Sequence, residues 1–391
     1  MTRSLPALLV SSCLAMGGSL ALAQERIIAG DEALELHTVI TGLEHPWAIA
    51  FISDDAFLVT ERNSGTLRAG QVDGSLSDPI WEAEDLFRFE GETNRSQAGL
   101  FDVQLHPRFE DNGWVYISYS RETDRGAALV VVRGTVAQED GDVTFSDVED
   151  IFVMNEEDQD SSGLHFGGRM AFDPSDASLF LSVGERRNIS RSQDASDQAG
   201  AVLRMTDSGE AHPGNPSFET EEDEGSSDPY VYSIGVRNIQ ALAVREQNGQ
   251  LWAADHGPEG GDAIRHIASG TNHGWPFITG GEDYSGAPLG VGEQMEGMTS
   301  PVHTFEETIA PSGLVFVPQD SAFGGWAGDM LVGGLYAEGL VRVQLQGDVL
   351  ADNDLIELGH RVRDVRIGPD GAIWMVTDHA EGAVLRLVPE G

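Results

Sequence analysis

A few short, polar, glycine-rich segments interrupt an otherwise strand-like chain, and they hold the side chains able to do chemistry. They are Ser96-Gln97-Ala98-Gly99-Leu100, Leu164-His165-Phe166-Gly167-Gly168-Arg169 with Gly184-Glu185-Arg186 after it, Gly235-Val236-Arg237-Asn238, His256-Gly257-Pro258-Glu259-Gly260-Gly261-Asp262, and Arg361-Val362-Arg363-Asp364. His165 suits general-base work, because an unperturbed imidazole pKa of about 6.5 matches proton removal near neutrality. A positioned base of this kind typically contributes roughly 10²–10⁴-fold. Glu185 is spaced to hold the second ring nitrogen, which would fix the tautomer and raise the basicity. The competing reading is a histidine hydrogen-bonded within a β framework. Arg361 and Arg363 are two apart, so on a strand they face the same way. Their guanidiniums repel unless an anion or acid lies between them. A bound anion and a carboxylate such as Asp364 or Glu357 both answer that need. Gly257-Pro258 would expose carbonyl oxygens, proper ligands for a hard cation such as calcium, or would simply form a turn.

Several chemistries are excluded. Cys13 is the only cysteine, and it lies in an N-terminal stretch read as a signal peptide over residues 1–23. Arg3 supplies its basic start, Leu5 to Leu22 its uncharged apolar run, and Ala21-Leu22-Ala23 its cleavage pattern. Cleavage after Ala23 predicts a periplasmic or secreted protein, without an integral membrane segment, whose single catalytic domain spans 24–391. Val10-Ser11-Ser12 before Cys13 also allows a lipoprotein. The cleaved chain would have no disulfide, thiolate nucleophile or cysteine-bound metal. Any redox chemistry then needs a non-covalent cofactor. P-loop, H-x-x-x-H and G-x-G-x-x-G patterns are missing, which removes support for nucleotide hydrolysis, zinc proteolysis and nicotinamide binding. The formal charge of −42, with every cation an arginine or histidine, excludes nucleic acid and anionic membranes as partners.

The elements that must position these residues repeat. An apolar strand, a turn containing Pro, Asp, Asn or Gly, and a second strand recur six times. With Phe51, Leu105, Phe172, Val244, Phe316 and Ile367 as markers, the steps are 54, 67, 72, 72 and 51 residues. That spacing suits one four-stranded blade plus loops, with too little helical periodicity for parallel βαβ units. The pattern predicts an all-β, six-bladed β-propeller with four-stranded blades. Leu36 to Ile40 and Ala383 to Leu387 are placed to pair in one blade and close the ring, which removes open sheet edges. The polar segments flank the inner strands, so they are expected to converge at one mouth of the central channel.

These segments resemble the soluble PQQ-dependent aldose sugar dehydrogenases, within the glucose/sorbosone dehydrogenase family. The likeness runs from Leu43 to Leu387 and adds Pro46-Trp47-Ala48, Gly99-Leu100-Phe101-Asp102-Val103 and Asn272-His273-Gly274-Trp275-Pro276. It implies pyrroloquinoline quinone (PQQ) bound at the channel mouth with calcium, and oxidation of an aldose to its lactone by hydride transfer to the quinone. His165 matches the family's base and Glu185 the acid supporting it. Arg237, Asn238 and Gln97 match quinone contacts, and Arg237 is also expected to stabilise developing charge. Arg361 and Arg363 match ligands of the cofactor carboxylates, and Gly257 and Pro258 the calcium loop. Electrons would pass to an external acceptor, a cytochrome or a quinone. Some members of the family carry a cofactor-binding lysine in the fifth blade, where Gly333-Gly334-Leu335-Tyr336 offers none and Tyr336 stands in its place. Two other classes compete: a calcium-dependent propeller hydrolysing lactones or esters, and a non-enzymatic extracellular binding propeller. The hydrolase predicts carboxylate and Asn metal ligands drawn from several blades.

Overall fold

Apolar residues alternate along each repeat because one blade must pack both faces against its neighbours, and the chain folds accordingly into six antiparallel sheets. The structure, a computed structural model, describes residues 24–391 apart from 31, 90–95, 140 and 219–226. The expected leader, Cys13 included, lies outside the described residues. The inner strands are Pro46–Phe51, Leu100–Leu105, Gly167–Phe172, Ile239–Arg245, Pro311–Phe316 and Val362–Ile367. Each touches the next, and the sixth touches the first, so the ring is closed. All six marker residues fall in these strands.

Closure follows the expected route. Strand Glu32–Leu43 pairs with Gly382–Pro389, with Leu36 opposite Leu387 and Ile40 opposite Val384. The sixth blade departs from the four-stranded expectation, since Gln24–Ala29 pairs outside Glu32–Leu43 as a fifth strand. Interfaces between blades are filled by aromatic and aliphatic side chains. At the seam between the sixth and first blades, Phe51, Phe57 and Trp374 meet with ring centroids 5.2–5.9 Å apart.

One irregularity repeats in every blade. The pairing of inner and second strand slips at the start of the inner strand: Pro46/Ala48, Leu100/Val103, Gly167/Met170, Ile239/Ala241, Pro311/Leu314 and Val362/Asp364. A bulge re-aims side chains and disrupts the local ladder, so all six inner strands turn their first residues toward the same mouth. Buried hydroxyls then fasten these slips to the neighbouring blade. Thr60 donates to the Phe101 carbonyl at 2.7 Å, Ser118 to Gly168 at 2.6 Å, and Ser312 to Val362 at 2.7 Å.

Candidate active site

Residues at two kinds of position build the site: those just before an inner strand and those just after the second strand. Between them lies a cavity of about 1200 Å³, floored by Trp47, Phe101 and Phe166. Gln97, His165, Asn238, Arg361, Arg363 and Tyr336 all line it. The structure thus gathers most of the sequence-predicted residues. Glu185, Arg237 and Pro258 line an adjoining chamber of about 110 Å³ instead, and Gly257 lines neither space. The expected residues therefore line two adjoining spaces that share Tyr284 and Arg187.

Arg169 is buried among the inner strands. Its guanidinium lies 3.9 Å from the centre of the Trp47 ring, pairs with Asp364 at 3.0 Å, and donates to the backbone of Gln240 and Arg363 at 2.7 and 2.8 Å. This buried pairing ties several blades together beneath the site.

His165 sits in a strained, buried turn with φ 51°, the left-handed region that costs a non-glycine residue energy. The turn is held from several sides. The His165 N–H donates to Gln97 Oε1 at 2.7 Å, and the ring Nδ1 meets Glu185 Oε1 at 2.8 Å. Arg186 donates to the backbone of Ser162 and Leu164 and covers Phe166 at 3.5 Å from the ring centre. Burial pushes the imidazole down to about 4; the Glu185 hydrogen bond opposes this and the Arg237 charge adds to it. His165 is therefore neutral at neutral pH. With a carboxylate on Nδ1, the Nδ1 nitrogen carries the hydrogen and Nε2 keeps its lone pair.

The cavity's cations are unusual for so acidic a chain. Among the described residues, Arg62, Arg187, Arg361 and Arg363 line it, against one carboxylate, Asp378. The sequence pointed to Asp364 or Glu357 between the paired arginines, but Asp378 takes that place. Its Oδ2 accepts from Arg363 at 2.7 Å and Arg361 at 3.3 Å, and Oδ1 meets His45 at 3.1 Å. The slip at Val362/Asp364 explains the error: it sends Asp364 down to Arg169 and Arg366 instead. Burial opposes the charge on Asp378, but Arg363, His45 and Arg62 outweigh it and hold the carboxyl far below its usual range. His45, Arg62 and Asp378 were missed in the sequence. His45 stands just before its inner strand as Asn238 and Arg361 do, and Arg62 and Asp378 stand just after the second strand as His256 does, so aligning the repeats would have exposed them.

The residues fit a polyanionic cofactor and a calcium ion by their own chemistry. Arg363 Nε is buried without a partner among the described residues, a donor left for an anion. Gln97 and Asn238 have their amide oxygens taken by His165 N and Gly167 N, which leaves their NH₂ groups for a ligand. The Gly257 turn is braced by Asp262, whose Oδ1 accepts from Gly257 N at 2.9 Å while Oδ2 accepts from Ile309 and Ala310. A Cβ at Gly257 would lie 2.0 Å from the Gly260 carbonyl, so only glycine fits. Arg237 is fixed by the His256 carbonyl at 3.1 Å and the Tyr284 hydroxyl at 3.2 Å.

Fold and site together define a β-propeller enzyme with a cation-lined mouth and a buried histidine–carboxylate pair. A family model described as Glucose / Sorbosone dehydrogenase matches residues 43–386. The chain belongs to that family, one of sugar-oxidising oxidoreductases. Aldose sugar dehydrogenase YliI of Escherichia coli (strain K12) is 34% identical over 352 residues, which cover 89% of this chain and 91% of that protein. The crystal structure of the soluble aldose sugar dehydrogenase from Escherichia coli, in its apo-form, matches with a TM-score of 0.82 at 32% identity, covering 91% of this chain and 100% of that one. The PQQ-bound form of aldose sugar dehydrogenase from Streptomyces coelicolor matches with a TM-score of 0.70 at 25% identity, covering 90% and 98%. Among the described residues, no helix is long and apolar enough to cross a membrane.

Proposed function

We propose that this protein is a quinoprotein that oxidises the anomeric carbon of aldose sugars to lactones. The observation that carries the reading is the cavity: among the described residues, four arginines and one carboxylate face a neutral, carboxylate-held histidine, in a chain of formal charge −42. PQQ, a planar tricarboxylate, would supply the two-electron acceptor, and calcium would act on it as a Lewis acid. Arg361 and Arg363 would hold its carboxylates, with Arg62 beside them compensating for the uncharged Tyr336. Gln97 and Asn238 would donate their free NH₂ groups, and the Gly257 and Pro258 carbonyls would ligate calcium.

The chain's own work is then to place the sugar and take a proton. His165 Nε2 accepts the proton of the anomeric hydroxyl while C1 is oxidised. Glu185 stabilises the imidazolium that forms and keeps the ring aligned. Arg237, fixed between a carbonyl and a phenol, lends positive charge where negative charge develops. Electrons would leave to an external carrier, and cleavage after Ala23, as read from the sequence, would put the reaction outside the cytoplasm.

The hydrolase alternative needs metal-binding side chains drawn from several blades. Among the described residues, no three His, Cys, Asp or Glu side chains form a metal-binding group. The deciding experiment is dye-linked glucose oxidation by protein lacking residues 1–23, with PQQ and calcium supplied together, singly or not at all. Activity is expected only with both. No oxidation across a panel of aldoses, with no quinone absorbance retained after desalting, would leave the non-enzymatic binder standing.

A further inference from the structure

Three of the four cavity arginines are engaged on one side of the ring. Arg361 and Arg363, on the sixth blade, share Asp378, and Arg62 on the first blade lies 3.7 Å from it. Arg187 stands on the third blade, across the channel, beside Glu185 and His165. Its sequence neighbours are paired: Arg186 with Asp160, and Arg191 with Asp160 and Asp197. Arg187 forms no ion pair among the described residues. Two acids border the small chamber with it: Glu185, bonded to His165, and Asp283, whose Oδ1 accepts from the Ser285 N–H and hydroxyl at 2.9 and 2.6 Å and whose charge the nearby Arg187 favours without a direct ion pair.

Two more observations mark Arg187 as placed for a ligand. Its φ is 62°, in the left-handed region, and strain of that kind collects at functional sites. Its guanidinium lies 5.5 Å from the centre of the Tyr284 ring, and Tyr284 is 59% exposed. The pair therefore offers an exposed aromatic ring and a cation without a direct ion pair among the described residues, at the end of the cavity where the base sits. Arg361 and Arg363 lie at the other end, and Arg237, which shares the small chamber, is already held by the His256 carbonyl and the Tyr284 hydroxyl, so the group that meets Arg187 is assigned to the substrate. A chain of charge −42 repels anions at long range, so an unpaired arginine at the mouth is where an anionic sugar would be drawn in.

We propose that Arg187 and Tyr284 form a subsite for an anionic aldose, a sugar bearing a carboxylate or phosphate remote from C1, whose ring lies on Tyr284 while the anion meets Arg187. The proposal rests on the dehydrogenase reading and names its substrate class. The test compares kcat/KM for glucuronate, glucose 6-phosphate and glucose in protein reconstituted with PQQ and calcium. The variants are R187G and R187E. Glycine adopts a φ of this sign freely, so R187G removes the guanidinium without straining the turn. The anionic-to-neutral ratio is expected to fall roughly tenfold in R187G, the scale of one charge-assisted contact, and further in R187E. Added salt should lower it in the wild type alone. The larger Arg187-dependent ratio identifies carboxylate or phosphate as the preferred anion. Equal ratios in all three proteins would overturn the proposal. Calorimetric titration of the same proteins with glucuronate gives a second readout free of turnover. If no sugar is oxidised at all, the dehydrogenase reading fails, yet loss of glucuronate binding on R187E would still support the subsite.

Discussion

His165 combines a strained backbone, a hydrogen bond to its amide and a carboxylate on Nδ1, three constraints that leave one ring nitrogen for chemistry. Its pKa near 4 gives the pH dependence a definite direction. The base works when neutral, so kcat/KM should hold from neutrality downward and fall as pH drops through about 4, not through the ordinary 6.5. In Glu185→Gln the partner that raises the imidazole is gone, so the acid limb should move lower while the rate near neutrality falls. A merely structural Glu185 would reduce the rate and leave the limb where it was. His165→Ala should retain PQQ, read by quinone absorbance after desalting, and lose about 10²–10⁴-fold in turnover; wild-type rates would remove His165 from the mechanism. This pair was legible because His165 and Glu185 occupy glycine-rich segments that ordinary blade strands do not need. Asp378 was not, because a lone aspartate after a strand looks like any turn residue until its blade is aligned with the one that holds His256.

The elements carry a different lesson. Periodicity and spacing gave the six inner strands and the closing pair, since both depend on apolar alternation that a propeller cannot avoid. The slips at the start of each inner strand left no such trace, and they decide where Arg363 and Asp364 point. A strict two-residue alternation is valid only where the ladder is regular. Closure of the ring can be tested through the same strands. Leu34, fully buried in Glu32–Leu43, faces Pro389 of the C-terminal strand. Leu34→Ala should cost ~2–5 kcal/mol in urea unfolding. Ile28, in the added fifth strand, is 58% exposed, and Ile28→Ala should stay within ~0.5 kcal/mol. Equal losses at the two positions would mean that the fifth strand closes the blade as firmly as its neighbour does.

At the scale of the whole molecule, charge and burial pull stability in opposite directions as pH falls. Protonating carboxylates relieves the self-repulsion of a chain with 65 acids and 23 arginines. Buried histidines act the other way. His273 is fully buried beside Arg265, and burial first, with that charge second, pushes its pKa down to about 3. The unfolded chain protonates it near 6.5. Between those values the unfolded state binds more protons, so this group's contribution falls as pH drops, by up to ~1.4 kcal/mol per pH unit. Neither ring nitrogen has a hydrogen-bond partner among the described residues, so His273→Phe removes the titration without breaking a hydrogen bond. Any packing cost of the larger ring is the same at every pH. The carboxylates are common to both proteins and cancel in the difference. Urea unfolding at pH 7, 5.5 and 4.5 should therefore show the variant gaining on the wild type as pH falls. A constant difference would show that the fold takes up the His273 proton as readily as the unfolded chain, and that acid loosens the propeller through some other group.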